Sequence, residues 1–401
     1  MYIPSRFLFQ LMVSEKVGVF CESNSIGDKA IIAKLPTSTI KAIALGAKVE
    51  FLVFLSEYTM NSRNIALALK VYDMADNPFH AILPLRWKNK NNMLTAGFFN
   101  KELEISIFDD TDASVLNGNI RIETNFKNKR LLHLLENFQF ESSNNFTQMN
   151  RFMDLICSTI TDNSPTTITT FKFKASLSQI KSILTYHANE QGVTSYDVMS
   201  DIDGTRQERQ IYQALCLMNN SQTYLSPLVK IGSKERELTD VLTIMDNGGV
   251  IVLESKCLQI NFDSLSKNLV KTSSNLIKHC KKAIGQIEGS YKAIKRGEDV
   301  YTDEGDALAF NVQSKCYGIV LIDEYRHSND WSDIINHLKE VSEKHNIIIN
   351  IVTISELIYT MKLSCSCIKN FALLLEKRYE FCTKEESINV NFRDYSLPQL
   401  P

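Results

Sequence analysis

A chain of 401 residues, 44% hydrophobic and 22% charged, carries enough apolar material for two packed cores or even three, which excludes wholesale disorder. The formal net charge of −2 excludes a protein that is basic throughout, while leaving room for a local basic patch. No apolar run reaches the roughly 18 residues of a membrane span, and the opening MYIPSRFLFQLMVSEKVGVF lacks the cleavage site of a secretory signal, so no membrane is expected.

The nine cysteines are odd in number, scattered and without a CxxC, the pattern of reduced thiols in a cytoplasmic protein. Cys365 and Cys367 form one close pair with no histidine nearby, which is not a zinc-site spacing. Seven scattered histidines with no HxxxH or HExxH argue against zinc hydrolase chemistry.

In chain order, six short apolar or alternating runs come first: KAIIAKL (29–35), AKVEFLVFLSE (47–57), IALALKVYDM (65–74), FHAILPLRW (79–87), ELEISIFDD (102–110) and GNIRIETN (118–125). Close spacing with turn-rich punctuation predicts a β-rich barrel or sandwich, read as a binding or regulatory module without catalytic motifs. Helical spacing follows at RLLHLLENF (130–138) and FTQMNRFMDLICSTI (146–160), so the first domain, 1–165, ends in helices. The polar stretch TDNSPTTITT (161–170) marks the predicted boundary, with a second domain over 171–401. There the rhythm becomes α/β. Helices are predicted at SLSQIKSILTYHAN (176–189), RQERQIYQALCLMN (206–219), a long basic stretch, DWSDIINHLKEVSEKH (330–345) and from SELIYTM (355–361). Buried strands are predicted at CYGIVLIDEY (316–325) and NIIINIVTI (346–354). The fold class is therefore mixed, α+β or α/β, with a β-rich half preceding an α/β half.

One stretch carries charge where a core strand should avoid it. TDVLTIMDNGGVIVLESKCL (239–258) reads as a hairpin turning at Asp246-Asn247-Gly248-Gly249, because Asn and Gly tolerate positive φ. Alternation puts Glu254 and Lys256 on one face and Ser255 on the other. A strict four-residue loop would pair Met245 with Val250 and Asp240 with Ser255, on the wrong face. A loop of odd length, a glycine bulge or a bend of the strand at Asp240 brings Asp240 level with Glu254.

Asp240, thirteen intervening residues, then Glu254-Ser255-Lys256 on a hairpin resembles the PD-(D/E)XK nuclease superfamily, with Thr239 where the family's leading proline stands. The resemblance covers roughly 175–360 and implies a restriction-endonuclease-like α/β domain with a central mixed sheet. It implies that Asp240 and Glu254 hold Mg²⁺, with Mn²⁺ as a substitute, that the carbonyl of Ser255 is a further ligand, and that Lys256 positions the attacking water. The upstream helix offers Glu208 to complete the metal set, with Glu237 as its rival. Gln286 resembles the glutamine of the Gln-xxx-Tyr helix in RecB-type members, although Tyr291 follows one residue too late.

Residues 263–296 hold eight Lys and Arg against Asp263 and Glu288, and Lys278, Lys281, Lys282 and Lys292 are candidates to track a phosphate backbone. The expected function is Mg²⁺-dependent hydrolysis of DNA phosphodiesters, with restriction, repair or antiviral defence as its setting by family analogy. The plain alternatives are rim charges at the sheet margin and a solvated helix face, and the rival function is a non-catalytic nucleic-acid-binding or regulatory protein that keeps the fold. DNA is the expected partner; a homo-oligomer and the partner of the β-rich half stay open.

Overall fold

The computed structural model describes residues 2–23, 28–57, 63–85, 94–124, 131, 146–162, 168–189, 192–200, 202–257, 269–311, 313–328 and 330–390. The chain is a mixed α/β protein that divides into two compact units, Met1–Leu184 and Thr185–Ile260 with Lys267–Pro401. Among the described residues no helix is long and apolar enough to cross a membrane.

The first unit holds α1 (Arg6–Ser14), β1 (Gly18–Ser23), β2 (Lys29–Lys34), α2 (Thr37–Ala44), β3 (Val49–Glu57), β4 (Arg63–Val71), β5 (Phe79–Pro84), β6 (Glu102–Phe108), β7 (Ser114–Glu123), α3 (Phe146–Asp162) and β8 (Ile168–Ser182). Eight strands form one sheet in the order β1-β2-β6-β7-β8-β3-β4-β5, antiparallel except for β2 on β6. All six strands expected from alternation are present. Its two end strands approach each other: a Cβ on Gly18 would lie 3.3 Å from Leu83. Leu8, Met12, Phe20, Ile32, Leu83 and Phe108 pack there, so the sheet curls as a barrel does.

The predicted boundary at 161–170 is corrected. β8 starts at Ile168 and pairs with β7 and β3, so the polar stretch leads into the sheet instead of leaving it, and the units divide after Leu184. The helix predicted over 176–189 is also corrected, since Ser176–Ser182 continues β8 and Thr185–Asn189 is another strand. Gln179 at φ +53° breaks the alternation, and the pairing with β7 slips between Asn117 and Asn119. Leu177 and Ile180 are therefore spaced like neighbours on a helix. Gly118 is required opposite this bulge, where a Cβ would lie 2.5 Å from Ile180. The helix expected at 130–138 falls outside the described residues, Leu131 excepted.

The second unit contains β9 (Thr185–Asn189), β10 (Gly192–Tyr196), α4 (Asp203–Cys216), β11 (Ser221–Leu225), β12 (Leu228–Ile231), β13 (Lys234–Glu237), β14 (Val241–Met245), β15 (Val250–Lys256), α5 (Leu269–Lys295), β16 (Asp299–Tyr301), β17 (Cys316–Ile322), α6 (Ser332–His345), β18 (Ile348–Thr353), α7 (Ile354–Leu363) and α8 (Ile368–Glu385). Its central sheet is mixed, ordered β11-β14-β15-β17-β18, with β15, β17 and β18 parallel and the remaining pairs antiparallel.

Alternation sorts the sheet's side chains into two cores. Leu242, Ile244, Val250 and Val252 meet Leu276, Ala283, Ile284 and Ile287 of α5 on one face. Val241, Ile251 and Leu253 meet Ile211 and Leu215 of α4, with α7 and α8, on the other. Helices thus cover both faces, as buried parallel strands require. Continuing the alternation puts Glu254 and Lys256 on the α5 face and Ser255 on the α4 face.

Candidate metal-dependent site

The hairpin register decides whether the charged groups meet. Ile244 pairs with Val250 and Val241 with Leu253, so the connection Met245–Gly249 has five residues, an odd number. Gly248, at φ +78°, makes this turn possible, and a Cβ there would lie 2.7 Å from Asn311. Asp240 consequently arrives level with Glu254, on the same face.

Three groups converge at the end of β15. The ammonium of Lys256 lies 3.0 Å from Glu254 Oε2 and 3.7 Å from Asp240 Oδ2. The peptide N–H of Ser255 donates to Asp240 Oδ2 at 2.6 Å. Thr239 donates its hydroxyl to the Leu253 carbonyl at 2.7 Å and so pins the two strands together just before Asp240.

Burial and crowding among carboxylates set the electrostatics. Glu254 is only 1% exposed. Burial pushes its pKa up to about 7, Asp240 adds to the rise, and Lys256 and Thr239 oppose it. Glu208 on α4 is likewise pushed up to about 7, by burial and then by Asp240 and Glu237, with Lys256 opposing and Glu254 adding. Glu208 therefore belongs to the same electrostatic neighbourhood. Glu237, on the exposed strand β13, acts on it as well.

Helix α5 closes the α5 face of the site. At one turn the Lys256 charge is felt by His279 and Cys280, while two to three turns further on Ser290 donates its hydroxyl to the Leu238 carbonyl. Gln286 falls between those anchors, and its Oε1 is buried without a hydrogen-bond partner. Lys278, Lys281, Lys282 and Lys292 all lie on the exposed side of α5. Two of them are already engaged, Lys281 with Asp333 at 2.5 Å and Lys292 with Glu288 at 2.7 Å. Lys278 and Lys282 join Lys256 in depressing the pKa of His279, after burial.

Among the described residues no three His, Cys, Asp or Glu side chains gather as a ready-made metal cage. The donor set nevertheless suits a hard cation of the magnesium type, which binds through one or two carboxylates and leaves its other positions to water and phosphate oxygens. Asp240 and Glu254 could supply such carboxylates, and Glu208 and the Ser255 carbonyl could add further oxygens.

Sequence reasoning missed Gln207. It is fully buried, accepts a hydrogen bond from Ser255 Oγ at 2.5 Å and donates to Asp323 Oδ1 at 3.3 Å. A signal was present: Gln207, Ile211 and Ala214 share one buried face of α4, where an uncharged polar side chain calls for partners. No family model, curated protein or solved structure matches this chain.

Proposed function

We propose that the second unit is a metal-dependent nuclease of the PD-(D/E)XK type, with a restriction-endonuclease-like fold, that hydrolyses DNA phosphodiester bonds. The observation that carries this reading is the odd-length hairpin connection, which brings Asp240, Glu254 and Lys256 to one sheet margin within 3.7 Å of the lysine amine. Glu254 then has a reason to be buried beside another carboxylate, because a bound cation and a phosphate complete the charge.

Asp240 and Glu254 hold Mg²⁺, or Mn²⁺ in its place, with Glu208 and the Ser255 carbonyl as further donors. When bound, the cation supplies a more acidic water and neutralises charge on the phosphoryl group. Lys256 orients the attacking water and stabilises the negative charge that builds on the phosphate oxygens. The water oxygen bonds to phosphorus, one P–O ester bond breaks, and the departing oxygen leaves with a proton. Gln286, whose buried oxygen has no hydrogen-bond partner and which lies on α5 between the two anchors, would accept a hydrogen bond from water or substrate. The α5 lysines track the phosphate backbone, Lys278 and Lys282 most directly.

Asp240→Ala, Glu254→Ala and Lys256→Ala are each expected to lower Mg²⁺-dependent cleavage of plasmid and linear DNA by at least about 100-fold, with DNA binding and the circular-dichroism spectrum retained. Cleavage left intact in all three variants overturns the residue assignment. A wild-type protein that binds DNA but cuts nothing with Mg²⁺ or Mn²⁺ replaces it with the non-catalytic binding reading.

A further inference from the structure

The site described above lies on one face of β15, yet the residue between Glu254 and Lys256 is held from the opposite face. Ser255 uses its peptide N–H for Asp240 and its hydroxyl for Gln207. The Gln207 amide has only one workable orientation. The Asp323 carboxylate at the end of β17 can only accept, so Nε2 must face it, which turns Oε1 toward Ser255. The same Asp323 oxygen accepts from the Cys257 thiol at 3.2 Å, which fixes the carboxylate in turn. Beside this, α4 is stitched along its own face: Arg206, also buried, donates to Gln210 at 3.0 Å and pairs with Asp203 at 3.4 Å.

Two consequences meet in one side chain. Gln207 fixes the Ser255 peptide, whose N–H aims Asp240. It also fixes the depth and rotation of α4 against β15 and β17, and the next residue on that helix is Glu208. We propose that Gln207 is a positioning residue of the nuclease site: by bridging Ser255 to Asp323 it holds the β15 peptide and helix α4 in the one relation that presents Asp240 and Glu208 to the same cation. This rests on the nuclease reading of the site, and it assigns Gln207 no contact with substrate. Side chains that orient metal-binding groups without touching the metal typically alter affinity or activity by about 10–100-fold when changed.

A swap of amide and carboxylate isolates the effect. Gln207→Glu keeps an acceptor for Ser255 but sets a second carboxylate against Asp323. Asp323→Asn added to it restores a donor–acceptor pair of the same shape, with the amide now on the residue that follows β17. Gln207→Glu is expected to raise the Mg²⁺ concentration for half-maximal cleavage about tenfold or more and to lower kcat, with KM for DNA within about twofold because no substrate contact is lost. The double variant is expected to recover most of both. Rates are taken per folded molecule, from the native fraction in a thermal melt.

Wild-type Mg²⁺ dependence in Gln207→Glu, or a double variant no better than the single one, overturns the positioning role while leaving the nuclease reading in place. A wild-type chain without metal-dependent cleavage overturns both. Should Gln207→Glu fail to fold, Ser255→Ala gives the same readout, since it deletes the hydroxyl and keeps the peptide. A several-fold higher Mg²⁺ requirement supports the proposal, and an unchanged requirement overturns it.

Discussion

Both units bury carboxylates, but they surround them differently. In the first unit Asp110, 4% exposed, accepts from the peptide N–H and the hydroxyl of Thr37, each at 2.9 Å, and so caps α2 from a distance where Pro36 offers no side-chain cap. Asp109 accepts from the N–H groups of Thr111 and Ala113 and from the Thr111 hydroxyl, closing a tight turn. Glu22 receives the N–H of Ser5 at 3.1 Å. Each negative charge meets donors. In the second unit Glu254 and Glu208 meet further carboxylates, with Lys256 as the cation they share. Burial alone does not mark a functional site, because Glu356 in this unit is as buried and is met by the Arg378 guanidinium at 2.8 Å. The mark is burial combined with crowding by like charge, which costs stability and persists where something else completes it.

The comparison breaks first on pH. An acid whose pKa is higher in the folded than in the unfolded chain keeps its proton longer when folded. The folded protein therefore binds more protons between about pH 4.5 and about 7, and its stability falls as pH rises through that window. In the absence of metal, Glu254 is expected to contribute a loss of about 1–3 kcal/mol, and the half-buried Glu208 less. Urea midpoints in EDTA from pH 4.5 to 8 measure it, and Glu254→Gln should flatten the slope. An equally steep slope in that variant removes the contrast between the units.

The opposite behaviour is expected from a carboxylate in the first unit. Asp110→Ala deletes the remote cap of α2 and should destabilise the protein by about 1–2 kcal/mol at pH 7, without changing the cleavage rate per folded molecule. The denaturant midpoint and a single-turnover assay check the two halves. A smaller effect again separates the lysines of α5. Replacing Lys278 and Lys282 by Ala should lower the slope of log affinity against log salt by about 0.9 per residue. Lys281 and Lys292, already paired with Asp333 and Glu288, should change it less.

Much of this was legible in the sequence, for identifiable reasons. Strands such as VEFLVFLSE and KAIIAKL announce themselves through apolar content and turn-rich flanks, CYGIVLI through a continuous apolar run and IINIVT through a mostly apolar one, both buried on both faces. Helix α2, TSTIKAIA, was not foreseen, because Thr and Ser are weak helix formers and its start depends on Asp110, 73 positions away. The second half of β8 reads as helical in the sequence because its bulge at Gln179 imitates helical spacing. At the site, residue types and alternation pointed to Asp240, Glu254 and Lys256, but the length of the hairpin connection could not be read from Asp-Asn-Gly-Gly alone. It depends on how Gly248 packs against Asn311, a contact made across 63 positions. Gln207 required knowledge of which strand end faced α4.

The bond from the Ser255 peptide to Asp240 has a consequence for how any ligand is received. One carboxylate oxygen is moored to the main chain from the moment the hairpin forms, so the side chain gives up its rotational freedom during folding. Freezing a mobile side chain on association costs about 0.5–1.5 kcal/mol, and here that expense falls before the encounter. Asp240 meets whatever approaches with its second oxygen already aimed.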